Sequence, residues 1–239
     1  MKKFIIAICL FSFLFTSTAF AHQPRLVGEG VTQIENPEVS QAFYGELKGE
    51  EDNYQIVSDV PFNLYVGLLL PDLPDVDKNL FVEIYREDEH GHEDEEADHE
   101  DTPDFYYLLN GVSFDWTPYY EEFGGDNYLQ GPELGVAVEG QDLPKGVAVA
   151  PGIYNIRVFS LINEGRYVLV VGEKEEFPLG EIWRTIKTLP TLKKDFFEKP
   201  AYTAYFNLVG LFMLIFILMV AGVLVAIILV ARRLIKKKK

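Results

Sequence analysis

Cysteine occurs once in the 239 residues, at position 9, while histidine occurs four times and tryptophan twice. Cys9 lies inside an N-terminal segment with the marks of a cleaved leader. Lys2 and Lys3 precede an apolar run from Phe4 to Phe15, and Ala19-Phe20-Ala21 closes it with small residues at the cleavage spacing. Residues 1–21 therefore read as a signal peptide. Its removal leaves a mature chain without cysteine, which excludes disulfides, thiol nucleophiles and thiolate metal sites. Positive charge is also scarce in the body. The 21 Lys and Arg stand against 37 Asp and Glu, a net charge of −16. Eight of the basic residues sit at the two ends, and every acid lies between Glu29 and Glu198. So acidic a body repels phosphate backbones, and no nucleic-acid partner is expected.

The C-terminal end carries the opposite bias. Leu208 to Ala231 is an uncharged apolar run of 24 residues. At 1.5 Å per residue it reaches about 36 Å, enough to cross a bilayer with some tilt. Tyr202, Tyr205 and Asn207 mark its outer edge, and six positive charges follow Ala231, against Lys193, Lys194 and Lys199 close before the run. That asymmetry predicts a single-pass protein of the cell membrane. The span takes residues 206–231, with the N-terminal body outside the cytoplasm and the basic tail, 232–239, inside. The lipid bilayer is the first expected partner.

Residues 22–176 are expected to form one extracytoplasmic domain, and between Ala42 and Gly172 the dominant period is two. Phe62, Leu64, Val66, Leu68 and Leu70 alternate with other residues, as do Leu80, Val82 and Ile84, then Tyr154, Ile156 and Val158, then Tyr167, Leu169 and Val171. Alternation with β-branched and aromatic enrichment predicts half-buried strands. Turn residues such as Pro151-Gly152 and Asn163-Glu164-Gly165 separate them. The expected fold class is all-β, an antiparallel sandwich or jelly roll. A juxtamembrane segment, 177–205, follows. Ile182, Ile186 and Leu189 fall at helical spacing beside Trp183, Pro190 is expected to break the pattern, and Leu192, Phe196 and Phe197 resume it. Two placements are open for this segment: short helices on the outer membrane surface, or a helix packed back on the sandwich.

Three stretches, Asp52 to Asp72, Pro151 to Ser160 and Gly165 to Glu173, join an aromatic-rich strand, a long apolar strand and a closing G-x-Y-x-L-x-V pattern. In these the body resembles the bacterial pre-peptidase C-terminal domain family. The resemblance implies a jelly-roll-like β-sandwich acting as an accessory or binding module, and it carries no catalytic residues.

Site chemistry is sparse. His22, His90, His92 and His99 all fall outside the strand-like segments, so no Ser–His or Cys–His couple is expected in the folded core. No catalytic residues are identified, and the chain reads as non-enzymatic. Glu87 to Asp101 holds ten acids and three histidines with no basic residue. Residues 86–104 are thus expected to form a solvated, disordered acidic loop, in which His90, His92 and His99 could ligate zinc or copper. His22 would be the first mature residue, where a free α-amine and the imidazole can chelate copper together. No cofactor follows from the residues beyond that copper or zinc alternative. Trp116, Tyr119, Tyr120 and Tyr128 lie among acids and turn glycines. They are candidates for contact with a glycan or another envelope protein, or else plug one end of the sandwich.

Overall fold

The computed structural model describes residues 22–87, 105–135 and 145–237. The signal-peptide segment and His90, His92 and His99 lie outside the described residues.

Thirteen strands are present among them: β1 (Gln23–Leu26), β2 (Thr32–Gln33), β3 (Gln41–Lys48), β4 (Asp52–Ser58), β5 (Phe62–Leu64), β6 (Val66–Pro71), β7 (Leu80–Arg86), β8 (Tyr106–Asn110), β9 (Thr117–Glu121), β10 (Asp126–Leu134), β11 (Val147–Val149), β12 (Gly152–Ser160) and β13 (Glu164–Val171). They form a six-stranded sheet, β1-β3-β13-β6-β10-β9, a five-stranded sheet, β2-β4-β12-β7-β8, and a small β11-β5 pair. The alternating residues face one another between the two larger sheets. Leu64, Val66, Leu68 and Leu70 lie in one apolar cluster with Leu80, Val82, Ile84, Ile156, Val158, Leu169 and Val171. Removing that surface from water is the main favourable contribution to folding. Inside it, Tyr54 and Tyr167 join hydroxyls at 2.7 Å, and the Tyr167 hydroxyl donates to Asp52 at 2.6 Å. The Tyr167 ring crosses its strand partner Gly45, where a Cβ would stand 2.4 Å from the ring. Glycine is what lets this buried tyrosine lie flat across β3.

The architecture is sandwich-like, with two corrections to the sequence reading. The sheets are mixed, because β1 pairs parallel with β3 and β2 pairs parallel with β4. The run from Phe62 to Leu70 is two strands, broken at Tyr65: β5 pairs with β11, while β6 enters the six-stranded sheet. Both halves keep the same inward phase, so periodicity alone does not reveal the break.

A third layer covers the six-stranded sheet. Helix α1 (Leu179–Thr191) runs directly into a π-helical turn, Leu192–Phe196, and a 3-10 turn, Ala201–Tyr205, leads into α2 (Leu208–Lys237). Pro190 does not break α1. It occupies the last turn, and the chain widens there, with Phe197 N–H bonding to the Leu192 carbonyl at 3.0 Å. The Ile186 carbonyl, left without a helical donor by Pro190, accepts the Tyr205 hydroxyl at 3.0 Å instead. Leu192, Phe196 and Phe197 pack on Ala42, Tyr128, Val168 and Val170 of the sheet's outer face. β13 is therefore buried on both faces, not half-buried as expected. Helix α2 is long and apolar enough to cross a membrane, and it continues through Arg232 and Arg233.

Candidate functional site

The layer between α1 and the six-stranded sheet encloses polar groups. A cavity of about 40 Å³ lies there, lined by His22, Tyr44, Tyr119, Glu121, Asp126, Tyr128 and Thr185 among others. A water molecule needs roughly 10–15 Å³ on this measure, so the space admits about three or four waters. Thr185 is buried, and its hydroxyl has no partner among the described residues. Tyr44 and Tyr128 join hydroxyls at 2.8 Å, and burial raises both phenols far above their ordinary range.

His22, just before β1, brings its Nδ1 within hydrogen-bond contact of the Ser40 hydroxyl. Burial, and secondarily the charge of Lys145, lowers its pKa to about 4, so the ring is neutral near pH 7. This corrects the expectation that the folded body holds no Ser–His couple. Ser40 is only 2% exposed, and its hydroxyl is engaged by His22. For metal binding the donor set is incomplete here. Among the described residues no three His, Cys, Asp or Glu side chains gather around one point, and His22 Nδ1 already serves Ser40.

The strongest electrostatic feature lies beside the cavity, at the β9–β10 turn. Asp126 is 4% exposed and Lys193 is 2% exposed, and they meet at 2.5 Å. Lys199 reaches the other carboxylate oxygen at 3.0 Å. Burial pulls the Lys193 ammonium below its ordinary value, and the bond to Asp126 partly restores it. The same turn is braced from within. Glu121 accepts the N–H groups of Phe123 at 2.8 Å and Gly124 at 2.6 Å, while its own burial raises its pKa. The Gly124 carbonyl receives Lys193 Nζ at 2.8 Å and Asn207 Nδ2 at 2.6 Å. Gly125 follows with φ +71°, and a Cβ there would stand 3.0 Å from Asn207. One turn of the sheet thus ties together the π turn, Lys199 and the start of α2.

Sequence reasoning misses this node, because Lys193 and Lys199 count there only as positive charge before the span. The available signal is that Lys193 falls on the apolar stripe of Leu189, Leu192, Phe196 and Phe197, where a lysine needs a buried partner.

The aromatic candidates separate. Trp116 packs against the inter-sheet core and donates to the Gly111 carbonyl at 2.8 Å. Tyr119 and Tyr128 turn toward the cavity, and Tyr120, one residue on, is exposed.

No protein-family model matches the chain, and no curated protein matches it. Among solved structures, the chain is similar to the pre-peptidase C-terminal domain of collagenase from Bacillus anthracis, at 11% identity and a TM-score of 0.31, covering 61% of this chain and 96% of that one. It is also similar to CorA, a surface-associated copper-binding protein important in copper acquisition by Methylomicrobium album BG8, at 10% identity and a TM-score of 0.24, covering 63% of this chain and 100% of that one. The resemblance to pre-peptidase C-terminal domains read from the sequence is met at this loose level.

Proposed function

We propose that this chain is a membrane-anchored, non-enzymatic binding or accessory module, carried outside the cytoplasm in a fixed pose on its own span. The observation that supports it most directly is the β9–β10 turn. Gly124, Asp126, Lys193, Lys199 and Asn207 bond the sheet to the segment entering α2, so no free tether separates the body from the apolar helix. Six positive charges follow Ala231 against three lysines close before the span, and that excess favours a cytoplasmic tail. The non-enzymatic reading is supported by the burial of Ser40, the serine that His22 meets.

Cysteine labelling tests the topology. In a Cys9→Ser background, Leu161→Cys, on an exposed turn, is expected to react with a membrane-impermeant maleimide in intact cells. Lys236→Cys should react only after permeabilisation. The reverse pattern refutes the orientation. Hydrolysis of a peptide or glycan library by the purified full chain refutes the non-enzymatic reading.

A further inference from the structure

We infer that the outward face of α1, with the turn before α2, is a lipid-docking surface that seats the sandwich on the outer leaflet of its own membrane. The inference rests on the reading of α2 as a span.

Its first support is depth. α1 does not stop above the apolar helix but lies against its first turns. Leu189 clusters with Ala204 and Val209, and Ile186 packs with them together with Met213. Phe123 bridges Phe177 and Phe212, with ring centroids 6.2 and 6.4 Å away. The Tyr205 hydroxyl donates to the Ile186 carbonyl at 3.0 Å. The second half of α1, at Ile186 and Leu189, is therefore level with Val209 and Met213, inside the apolar run, and Phe177 just before α1 approaches Phe212 through Phe123. That run is longer than a bilayer requires, and its first turns are partly covered by the protein itself, with Val209 buried and Phe212 and Met213 half-buried. Leu214 to Ala231 leaves 18 residues, or about 27 Å, which matches the hydrocarbon thickness without help from Leu208 to Met213.

The second support is chemistry. The side of α1 turned from the sheet carries Leu179, Ile182 and Trp183, the last 63% exposed, and Tyr202 and Phe206 add exposed rings just before the span. The polar groups among them suit a phosphate layer. Arg184 and Lys187 are exposed, whereas Glu181, the one acid of α1, is held by Arg25 at 2.8 Å and Arg184 at 3.0 Å. Apolar and aromatic residues flanked by basic ones, with no free acid, are what an interfacial helix presents to lipid headgroups. The two placements open to the sequence thus combine: Thr185 and Leu192 face the sheet, Ile186 and Leu189 face the start of α2, and Leu179, Ile182 and Trp183 face the bilayer.

The full chain reconstituted in phosphatidylcholine vesicles tests this through its two tryptophans. Trp116 precedes β9, at the far end of that strand from the turn that touches Asn207, and serves as an internal control. Bromines placed high on the acyl chains are expected to quench Trp183 by about twofold or more, and more than bromines placed deep. Trp183→Phe, an exposed and conservative change, should abolish that quenching. Equal quenching of the parent and the variant overturns the inference, as does free access of aqueous acrylamide to Trp183 in vesicles, which would also be the result if a separate protein normally covers this face. Flotation with the vesicles after alkaline carbonate separates the two readings. Flotation without Trp183 quenching refutes lipid docking alone, and loss of flotation refutes the span itself.

Discussion

Replacing Asp126 by asparagine removes the charge at the centre of a buried triplet. Lys193 would keep its ammonium at 2% exposure, facing a neutral amide and the Gly124 carbonyl. Taking one partner from a buried pair costs about 3–5 kcal/mol, because the remaining charge is neither solvated nor compensated. Lys199 behaves differently. At 39% exposure it can turn to water, so Lys199→Met is expected to cost about 1 kcal/mol or less. Lys193→Met falls between, at about 1–3 kcal/mol, since Asp126 retains Lys199. A domain of this size loses about 2–4 °C of melting temperature per kcal/mol, so Asp126→Asn should melt about 6–20 °C lower. The assay is thermal unfolding of the full chain in detergent micelles, followed by circular dichroism in the β-sheet region. The double variant Asp126→Asn with Lys193→Met is the critical comparison. It restores a neutral interior and should be more stable than the sum of the single losses implies, by about 1–3 kcal/mol. Strict additivity, or an Asp126→Asn shift no larger than that of Lys199→Met, refutes the claim that this triplet is a buried, coupled unit.

Three further outcomes are expected. His22 is neutral in the fold, with its pKa lowered from 6.5 to about 4. The unfolded chain therefore takes up the proton first, and the stability tied to the neutral ring is complete above pH 6.5 and lost as pH falls from 6.5 toward 4, by no more than about 3 kcal/mol. Glu121 and Asp52, whose values are raised by burial, act in the opposite sense on acidification, so the readout is the difference between the parent and His22→Gln in urea midpoints at pH 7 and 4.5. An identical loss in both proteins refutes the assignment. Deleting Glu87 to Asp101 should leave the sandwich folded, because β7 and β8 are already paired at Tyr85 and Tyr106 and Arg86 N–H bonds to the Phe105 carbonyl at 3.1 Å. Loop closure changes slowly with length, so the stability change should stay within about 1 kcal/mol. Calorimetry with Zn²⁺ on the same variant tests the histidines. We propose that any zinc binding of the parent is lost with the segment; its retention refutes that role, and copper binding that survives the deletion would point to His22.

Local periodicity makes the inter-sheet core legible in the sequence. The alternating residues of β6, β7, β12 and β13 all point into it, and the uncharged run after Asn207 forms one helix. These features survive translation from sequence to fold because they depend on the geometry of a single strand or helix, where every second or every third to fourth residue shares a face. The helical stripe of α1 is equally plain, but its partner is not, since a period shows that a face is apolar without showing what covers it. Tertiary structure alone decided that α1 lies on the six-stranded sheet, that Val168 and Val170 are buried on β13's second face, and that Tyr65 divides one apolar run between two sheets. It also decided the ion triplet. Asp126 and Lys193 are ordinary charged residues of an acidic chain, 67 positions apart. Only when the π turn folds onto the β9–β10 turn does water leave them, and only the loss of water makes their attraction strong and the removal of either partner costly.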